Sequence, residues 1–138
     1  MVAFTKFNIF PQALAHKQHN LQSDTLRIML TNTKPLVTNA VKADITEIAA
    51  GNGYVAGGPQ ATVSSSGQTD GTYKLVTADT VITSSGGAVG PFEWAVLYNA
   101  TSGGLIGFWD YGSPITLGAS GETLTIDFNE TTGVLTLA

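Results

Sequence analysis

Short stretches in which hydrophobic and polar residues alternate run through much of the chain. In residues 25–31 (TLRIMLT) a large aliphatic side chain recurs at every second position, at Leu26, Ile28 and Leu30. Successive side chains of a β-strand point to opposite faces, so this spacing places the three residues on one face. The stretch therefore predicts a half-buried strand.

The second half of the chain repeats this pattern between closely spaced turn residues. In residues 92–99 (FEWAVLYN) both alternating sets are partly apolar, so we expect a central strand covered on both sides, with Phe92 and Trp94 on one face. The other predicted strands are 72–77, 79–84, 105–111, 122–128 and 134–137, with a turn at 129–133. These strands predict a mainly β fold, an antiparallel β-sandwich or jelly-roll-like domain that spans residues 1–138.

Two segments of the first half have helical features. Pro11 suits the first turn of a helix, where its missing N–H is not needed, and residues 12–17 can continue that helix. In residues 41–50 (VKADITEIAA) the apolar residues recur every three or four positions, and Gly51-Asn52-Gly53 follows as a stop signal. We therefore expect two short helices, with Asp44 and Glu47 favoured by the dipole of the second one.

Residues 51–71 are rich in Gly, Ser, Thr and Gln. This composition predicts either a long excursion from the domain or a pair of exposed, polar edge strands, one of them at residues 61–65. Charged side chains normally keep strand edges from pairing with other chains, and they are scarce here. The edges of this protein are therefore expected to be covered, either within the chain or by a partner.

Composition narrows the class of protein. Only 12% of the 138 residues are charged and none is Cys, so a disulfide framework is ruled out and a structural zinc site is disfavoured. The net charge is -4, and no Lys or Arg follows Lys74, which argues against nucleic-acid binding. The apolar runs are too short for a membrane-spanning helix, and the N-terminal residues lack a secretory signal. We expect neither nucleic acid nor membrane as a partner, and no export.

Candidate chemistry is sparse. His16 and His19 are three residues apart and start a metal site only if carboxylates lie nearby, so surface or interface histidines are the simpler interpretation. Asp110 between Trp109 and Tyr111 suggests a carbohydrate platform, but alternation predicts that the two aromatic side chains share one face and the acid takes the other. No nucleophile elbow or phosphate loop is present, and paired carboxylates leave no linear signature. We predict no enzyme activity, no metal site and no cofactor.

Five stretches of residues 41–138 form a larger pattern: 43–54, 92–99, 105–112, 122–128 and 133–137. In this pattern the chain resembles small virion structural proteins of tailed bacteriophages. The resemblance implies a β-sandwich building block of the particle, with capsid decoration (cement) proteins as the most similar class and tail or fibre-associated proteins as the second. The expected partners are the major capsid protein and other copies of this chain, for example in a trimer. The implied location is the capsid surface, after synthesis in the host bacterial cytoplasm.

The N-terminal segment is the predicted contact region for these partners. Residues 1–21 are expected to form an arm that adds a strand to the sheet edge of a neighbour, because they combine aromatic residues with positive charge. The predicted partner-binding residues are Phe4, Phe7, Phe10, His16 and His19. A carbohydrate-binding module remains a third possibility, and it requires that Trp94, Trp109 or Tyr111 be exposed.

Overall fold

The computed structural model describes residues 4–128 and 131–138, so most of the predicted turn at 129–133 is described and its first two residues lie outside the description. These residues form ten strands and one α-helix, α1 (Phe10–Ala15). The strands are β1 (Phe4–Lys6), β2 (Leu26–Thr31), β3 (Gln60–Ala61), β4 (Val63–Thr69), β5 (Thr72–Thr77), β6 (Thr80–Thr83), β7 (Val89–Asn99), β8 (Leu105–Leu117), β9 (Thr123–Ile126) and β10 (Leu135–Leu137). The mainly β, antiparallel prediction is confirmed.

The strands form one large sheet and two small ones. The large sheet has the order β1-β8-β7-β2-β3, and the small sheets have the orders β10-β5-β4 and β6-β9. Every pair of neighbouring strands is antiparallel. Strand β7 is central, as its two apolar faces predict, because it pairs with β8 on one side and β2 on the other.

The two faces of the large sheet are covered in different ways. One face, here called the paired face, packs against the two small sheets, since Leu97 of β7 belongs to the same buried cluster as Leu75 of β5 and Ile126 of β9. The opposite face, here called the loop face, carries a second buried cluster of seven residues, Phe7, Met29, Trp94, Val96, Tyr98, Leu105 and Phe108. Chain segments outside the sheets supply its cover, through Ile9 and Ile45. The result is a sandwich-like fold in which the large sheet is covered by a regular layer of strands on one face and by an irregular layer of loops on the other.

One detail of β7 differs from the predicted alternation. Phe92 belongs to the cluster on the paired face, whereas Trp94 belongs to the one on the loop face. The register of β7 against β8 shifts between these two residues, as it does at a β-bulge. A bulge inserts one extra residue into the strand and so shifts the alternation by one position. Two residues that are two positions apart across the bulge then point to opposite faces of the sheet. The expectation that Phe92 and Trp94 share a face was therefore wrong.

The helix at Pro11 is confirmed, but the predicted helix at 41–50 is wrong. Only a short 3₁₀ turn forms there, Lys42–Asp44, and Ile45 is already extended. The backbone of Glu47 bridges to Thr31, and the N–H of Ile48 donates to the carbonyl of Leu30 at 3.0 Å. Strand β3 pairs with only the first two residues of β2, Leu26 and Arg27. Glu47 and Ile48 thus take up the same edge of β2 near its other end. A strand edge needs these hydrogen bonds, and this tertiary pairing outweighs a weak helical pattern.

The polar segment 51–71 contains edge strands rather than a free excursion. Strand β3 lies at one edge of the large sheet, and β4 lies at one edge of a small sheet. Asp70 and Gly71 join β4 to β5 with φ angles of 51° and 83°, as in a two-residue hairpin turn. Of the two alternatives that the composition left open, the pair of edge strands is the one found.

Candidate functional site

The structure buries most of the N-terminal residues that were predicted to contact a partner. Phe7 and Phe10 are 0% and 1% exposed, and His19 is 6% exposed. Phe4 is half-buried, with its ring centroid 5.1 Å from that of Trp109, so among the five residues only His16 is exposed. The aromatic side chains thus pack on the chain's own sheet instead of standing exposed for a partner, because burial of their apolar surface there is favourable.

The described part of the predicted arm also pairs within its own chain. Phe4, Thr5 and Lys6 of β1 pair with Trp109, Phe108 and Gly107 of β8. Gly107 makes this close approach possible, since a Cβ at that position would lie 2.1 Å from the Phe4 ring. Strand β1 thus completes the edge of this protein's own sheet instead of reaching out as an extended arm. Whether residues 1–21 also contact a partner stays a prediction.

His19 and Asn99 form the centre of a buried polar cluster. The side-chain oxygen of Asn99 accepts hydrogen bonds from the backbone N–H groups of Thr101 and Ser102, at 2.9 and 3.1 Å. Its amide nitrogen donates to Asp24 Oδ2 at 2.7 Å and lies 3.1 Å from His19 Nδ1. Because the amide nitrogen can only donate, His19 Nδ1 must be an acceptor. The imidazole is therefore neutral, with its proton on Nε2.

This environment opposes protonation of His19. Nε2 is buried without a hydrogen-bond partner in the described structure. Burial lowers the pKa of His19, and the negative charge of Asp24 offsets part of that effect. The pKa of Asp24 is itself lowered, first by the hydrogen bond from the Asn20 backbone and then by the Asn99 side chain. The cluster thus holds a neutral imidazole beside an ionised carboxylate.

A groove of about 560 Å³ lies next to this cluster, between the α1–β2 connection and the sheet β10-β5-β4. It is lined mainly by apolar or aromatic side chains, including Leu14, Leu21 and Tyr73. The Tyr73 hydroxyl is 2.7 Å from the Ser66 hydroxyl and so already has a partner. The groove contains no pair of reactive groups that would assign it a reaction.

The two histidines have different surroundings. His16 is exposed and His19 is buried. Across residues 4–128 and 131–138 no group of three or more His, Cys, Asp or Glu side chains is placed to hold a metal ion.

The aromatic residues around Asp110 follow the predicted alternation. Trp109 is 3% exposed in the paired-face cluster, Tyr111 packs against the same cluster, and Asp110 is exposed on the other side. Trp94 is 9% exposed, so neither tryptophan offers the open surface that a carbohydrate platform needs. Within strand β8, Asp110 Oδ1 accepts a hydrogen bond from the Gly112 N–H at 2.7 Å.

Two carboxyl groups, those of Glu93 and Asp110, meet beside this hydrogen bond. Loss of hydration raises the pKa of Glu93, and its hydrogen bond and charge interaction with Asp110 raise it further. Glu93 lies in the β7 bulge, which brings it to Asp110 of the neighbouring strand. The sequence pattern does not predict this pair, because the contact between Glu93 and Asp110 depends on the bulge, and the bulge does not show in the alternation.

A polar network holds the loop that covers one end of the loop face. Glu47 Oε1 accepts hydrogen bonds from the Tyr54 hydroxyl and from the Gly57 N–H, both at 2.6 Å. The Tyr54 hydroxyl in turn accepts from the Leu30 N–H at 3.0 Å, and the Tyr98 hydroxyl donates to the Gly57 carbonyl at 2.6 Å. Burial and the hydrogen bond to Glu47 raise the pKa of Tyr54 above its ordinary value, so its hydroxyl stays protonated as a donor.

A cleft of about 240 Å³ opens beside this network. Its charged lining residues are Arg27 and Lys42, and the remainder are Ala56, Gly57, Tyr98, Ala100 and Gly103. Arg27 Nη1 donates to the Gly58 carbonyl at 2.9 Å, and Lys42 Nζ lies 5.6 Å from the centre of the Tyr98 ring. Sequence analysis missed this cationic cleft, because the topology alone brings residue 27 to residue 42.

Strand β4 is a second candidate binding surface. Its sequence, VSSSGQT, contains no charged residue, and its side chains are exposed except for the half-buried Val63 and Ser66. It pairs with β5 on one side only. A register irregularity between Val63 and Ser65 perturbs its first residues, while Ser65 to Thr69 pair regularly with β5. The outer edge of this regular part offers backbone groups to a further strand.

Comparisons of this chain with family models, with curated proteins and with solved structures each find no match. None of the helices among the described residues has the length and apolar character needed to cross a membrane.

Proposed function

We propose that this chain is a virion structural protein of a tailed bacteriophage, a capsid decoration protein that binds the outer head surface and stabilises contacts between major capsid subunits. The observation that carries this proposal is the uncharged, one-sided edge of β4. An edge strand without charge is a hazard for a free protein, because other chains can pair with it. In a protein that acts by binding, the same edge is a docking element.

The chemistry of β4 fits strand addition by a neighbouring protein. Its backbone N–H and C=O groups supply affinity, and the small polar side chains allow a close approach. Gly67 leaves open space on this strand, since a Cβ there would have no heavy atom within 4 Å. The intended occupant is an extended segment of the major capsid protein. Docked copies would add buried area only in the assembled shell, and by mass action they would stabilise that state.

Fractionation of purified particles tests the location. Particles whose genome encodes this chain are separated into heads and tails, and the chain is quantified by mass spectrometry in each fraction. We expect it on heads, in a copy number comparable to that of the major capsid protein. Recovery with tails would favour the tail or fibre alternative and contradict a role on the head. Absence from both fractions would refute a virion role.

A variant of the edge strand tests the docking mode. Ser65→Lys places a charge on the regular part of β4, and Ser23→Lys is the matched control, because Ser23 is an exposed residue outside the sheets. We expect Ser65→Lys to reduce binding to undecorated heads by about tenfold or more, since a charge at an edge opposes pairing. Ser23→Lys should bind as the parent does. Equal binding by both variants would rule out β4 as the contact.

A further inference from the structure

Two of the six Lys and Arg residues of this acidic chain line the same small cleft. Arg27 is half-buried and uses Nη1 to bind the Gly58 carbonyl, which fixes the position of its guanidinium group. Lys42 is exposed and lies against the Tyr98 ring. A guanidinium has five N–H donors, so this single contact leaves donors for another acceptor.

The nearby acidic residues are already engaged by other groups. Glu47 accepts from the Tyr54 hydroxyl and the Gly57 N–H, and Asp44 accepts from the backbone of Ala40 and Val41. Neither acid lines the cleft, and none of its lining residues within 4–128 and 131–138 is acidic. The described lining thus carries two positive charges and no negative one, on a protein whose net charge is -4, while the hydrogen-bonded Glu47 carboxylate lies behind it. Such a site favours an anionic group.

Small residues keep the cleft open. Ala56, Gly57, Ala100 and Gly103 leave space between the two cations and the buried Tyr98 ring. Gly57 has a φ of 86°, and a Cβ there would lie 3.0 Å from the Tyr98 hydroxyl and 3.4 Å from Lys42 Nζ. A larger residue would both strain the backbone and narrow the cleft. The hydrogen bonds of Gly57 to Glu47 and Tyr98 hold this arrangement in place.

Two exposed apolar residues adjoin the cleft along the chain. Val41 and Val55, which are 48% and 55% exposed, immediately precede the lining residues Lys42 and Ala56. The Lys42 N–H also donates to the Gly103 carbonyl at 2.9 Å, so Val41 is held close to the opening. A positive, Tyr-lined centre with exposed apolar residues around it resembles the centre of a protein contact, where Arg and Tyr are enriched.

We infer that this cleft binds the carboxylate of an Asp or Glu side chain from an acidic, apolar-flanked segment of a partner protein. The Arg27 guanidinium and the Lys42 ammonium hold the carboxylate oxygens, and apolar residues on either side of the acid pack on Val41 and Val55. A guanidinium matches a carboxylate in two-pronged geometry, which gives direction as well as attraction. The inference rests on the proposed function only in placing the partner on a phage particle.

Short peptides test the cleft in the isolated protein. The probe is N-acetyl-Val-Glu-Val-amide, and its matched control is the same peptide with Gln in place of Glu. Titration into ¹⁵N-labelled protein should shift the amide resonances of Gly57, Ala100 and Gly103 with the Glu peptide in a saturable manner. The Gln peptide should bind at least fivefold more weakly, and 0.5 M NaCl should weaken the Glu peptide to a similar degree.

Variants of the two cations complete the test. Lys42→Gln should weaken binding of the Glu peptide about two- to fivefold, a range typical of an exposed ion pair. Arg27→Gln should weaken it more, by about tenfold, because the guanidinium is positioned and half-buried. Lys34→Gln removes an exposed cation elsewhere and should leave binding unchanged. If Arg27→Gln fails to fold, the Lys42→Gln variant and the comparison of the Glu and Gln peptides still test whether the cleft binds a carboxylate.

Two results would overturn the inference. One is equal binding of the Glu and Gln peptides, and the other is a loss with Lys34→Gln as large as that with Lys42→Gln. The proposed function can fail separately. Peptide binding to the cleft by a protein that is absent from particles would support this inference and refute the virion role. If the protein is found on heads but the cleft does not bind the Glu peptide, the virion role is supported and this inference is refuted.

Discussion

The two faces of the large sheet are stabilised by different means. On the paired face the covering layer is itself made of strands, whose backbone groups pair with one another. On the loop face the cover comes from segments outside the sheets, whose backbone groups bond partly to one another and partly to side chains. Glu47 and Tyr98 both bind Gly57, and Arg27 binds the neighbouring Gly58. One cover thus consists of regularly paired strands, whereas the other consists of loops in which a few particular polar side chains add to irregular backbone hydrogen bonds.

This difference also separates candidate functions. The regular layer offers an edge, β4, whose binding capacity lies in its backbone. The irregular layer offers the cleft between Arg27 and Lys42, whose specificity lies in its side chains. Irregular segments can place side chains where a pleated strand cannot, which is why binding residues are so often found on them. The two surfaces can be tested independently, because one change in each leaves the other intact.

The largest expected effect comes from matched core truncations on the two faces. Leu97 lies in the paired-face cluster and Leu105 in the loop-face cluster, and both are 0% exposed. Leu-to-Ala changes in cores cost about 2–5 kcal/mol of unfolding free energy, depending on how far the site can collapse. We expect about 4 kcal/mol for Leu97→Ala and about 2 kcal/mol for Leu105→Ala, because loops relax into a cavity more easily than paired strands.

Denaturant unfolding of both variants, with the slope checked for two-state behaviour, measures these costs. Equal losses, or a larger loss at Leu105, would show that the loop cover is as rigid as the paired layer. In that case the two covers would differ in secondary structure but not in how far they relax around a cavity.

The regular layer could largely be predicted from sequence, and the irregular one could not. Alternation and turn residues predicted β2, β5, β6 and β9, because pairing in an antiparallel sheet imposes a period of two on each strand. They predicted only the first half of β8, at 105–111, whereas the strand continues to Leu117. The bulge between Phe92 and Trp94 leaves that alternation unbroken in sequence, so the pattern could not reveal it. Asp70-Gly71 is a recognised hairpin signal that could have defined β4 and β5 as a pair.

The candidate sites were hidden for a related reason. Val41, Ile45 and Ile48 have helical spacing, yet Ile45 packs on the loop face, Ile48 on the paired face, and Val41 is exposed. The segment passes around the edge of β2, so its apolar residues serve different surroundings rather than one stripe. Such long-range contacts override local propensity. The cleft depends on this path, because it brings Lys42 to Arg27.

The polar network of the loop cover should show the second-largest effect. Glu47→Ala leaves the Tyr54 hydroxyl and the Gly57 N–H without their acceptor. Hydrogen bonds to a charged group contribute about 1.5–3 kcal/mol, so we expect a loss of about 2 kcal/mol in unfolding free energy. The control is Asp127→Ala, at an exposed residue, which should change stability by no more than about 0.5 kcal/mol.

A double-mutant cycle links this loss to the network. Tyr54→Phe removes the hydroxyl that joins Glu47 to the Leu30 N–H. If the two residues act together, the double variant should be less destabilised than the sum of the single variants. Strict additivity would mean that Glu47 and Tyr54 stabilise the loop independently.

The smallest expected effect is a pH dependence at the point where the two covers meet. Asn99 ends β7 and organises residues 101–104, where the Gly103 carbonyl accepts from the loop-face residue Lys42. Asn99 also requires a neutral His19, whose pKa burial lowers. Protons then bind the unfolded chain more readily than the folded one. Stability should be constant above the unfolded pKa, near 6.5, and should fall as the pH drops from there towards the lower folded pKa.

Unfolding free energies measured between pH 8 and pH 5.5 test this dependence. One titrating group changes stability by at most about 1.4 kcal/mol per pH unit, so the fall should stay within that limit. Asp24 remains ionised in this window, because its own pKa is lowered, and does not contribute. His19→Gln should remove most of the slope, whereas His16→Gln, at an exposed position, should retain it. If the slope is unchanged in His19→Gln, another group causes the pH dependence. The hydrogen bond between Asn99 and a neutral His19 would then not be its origin.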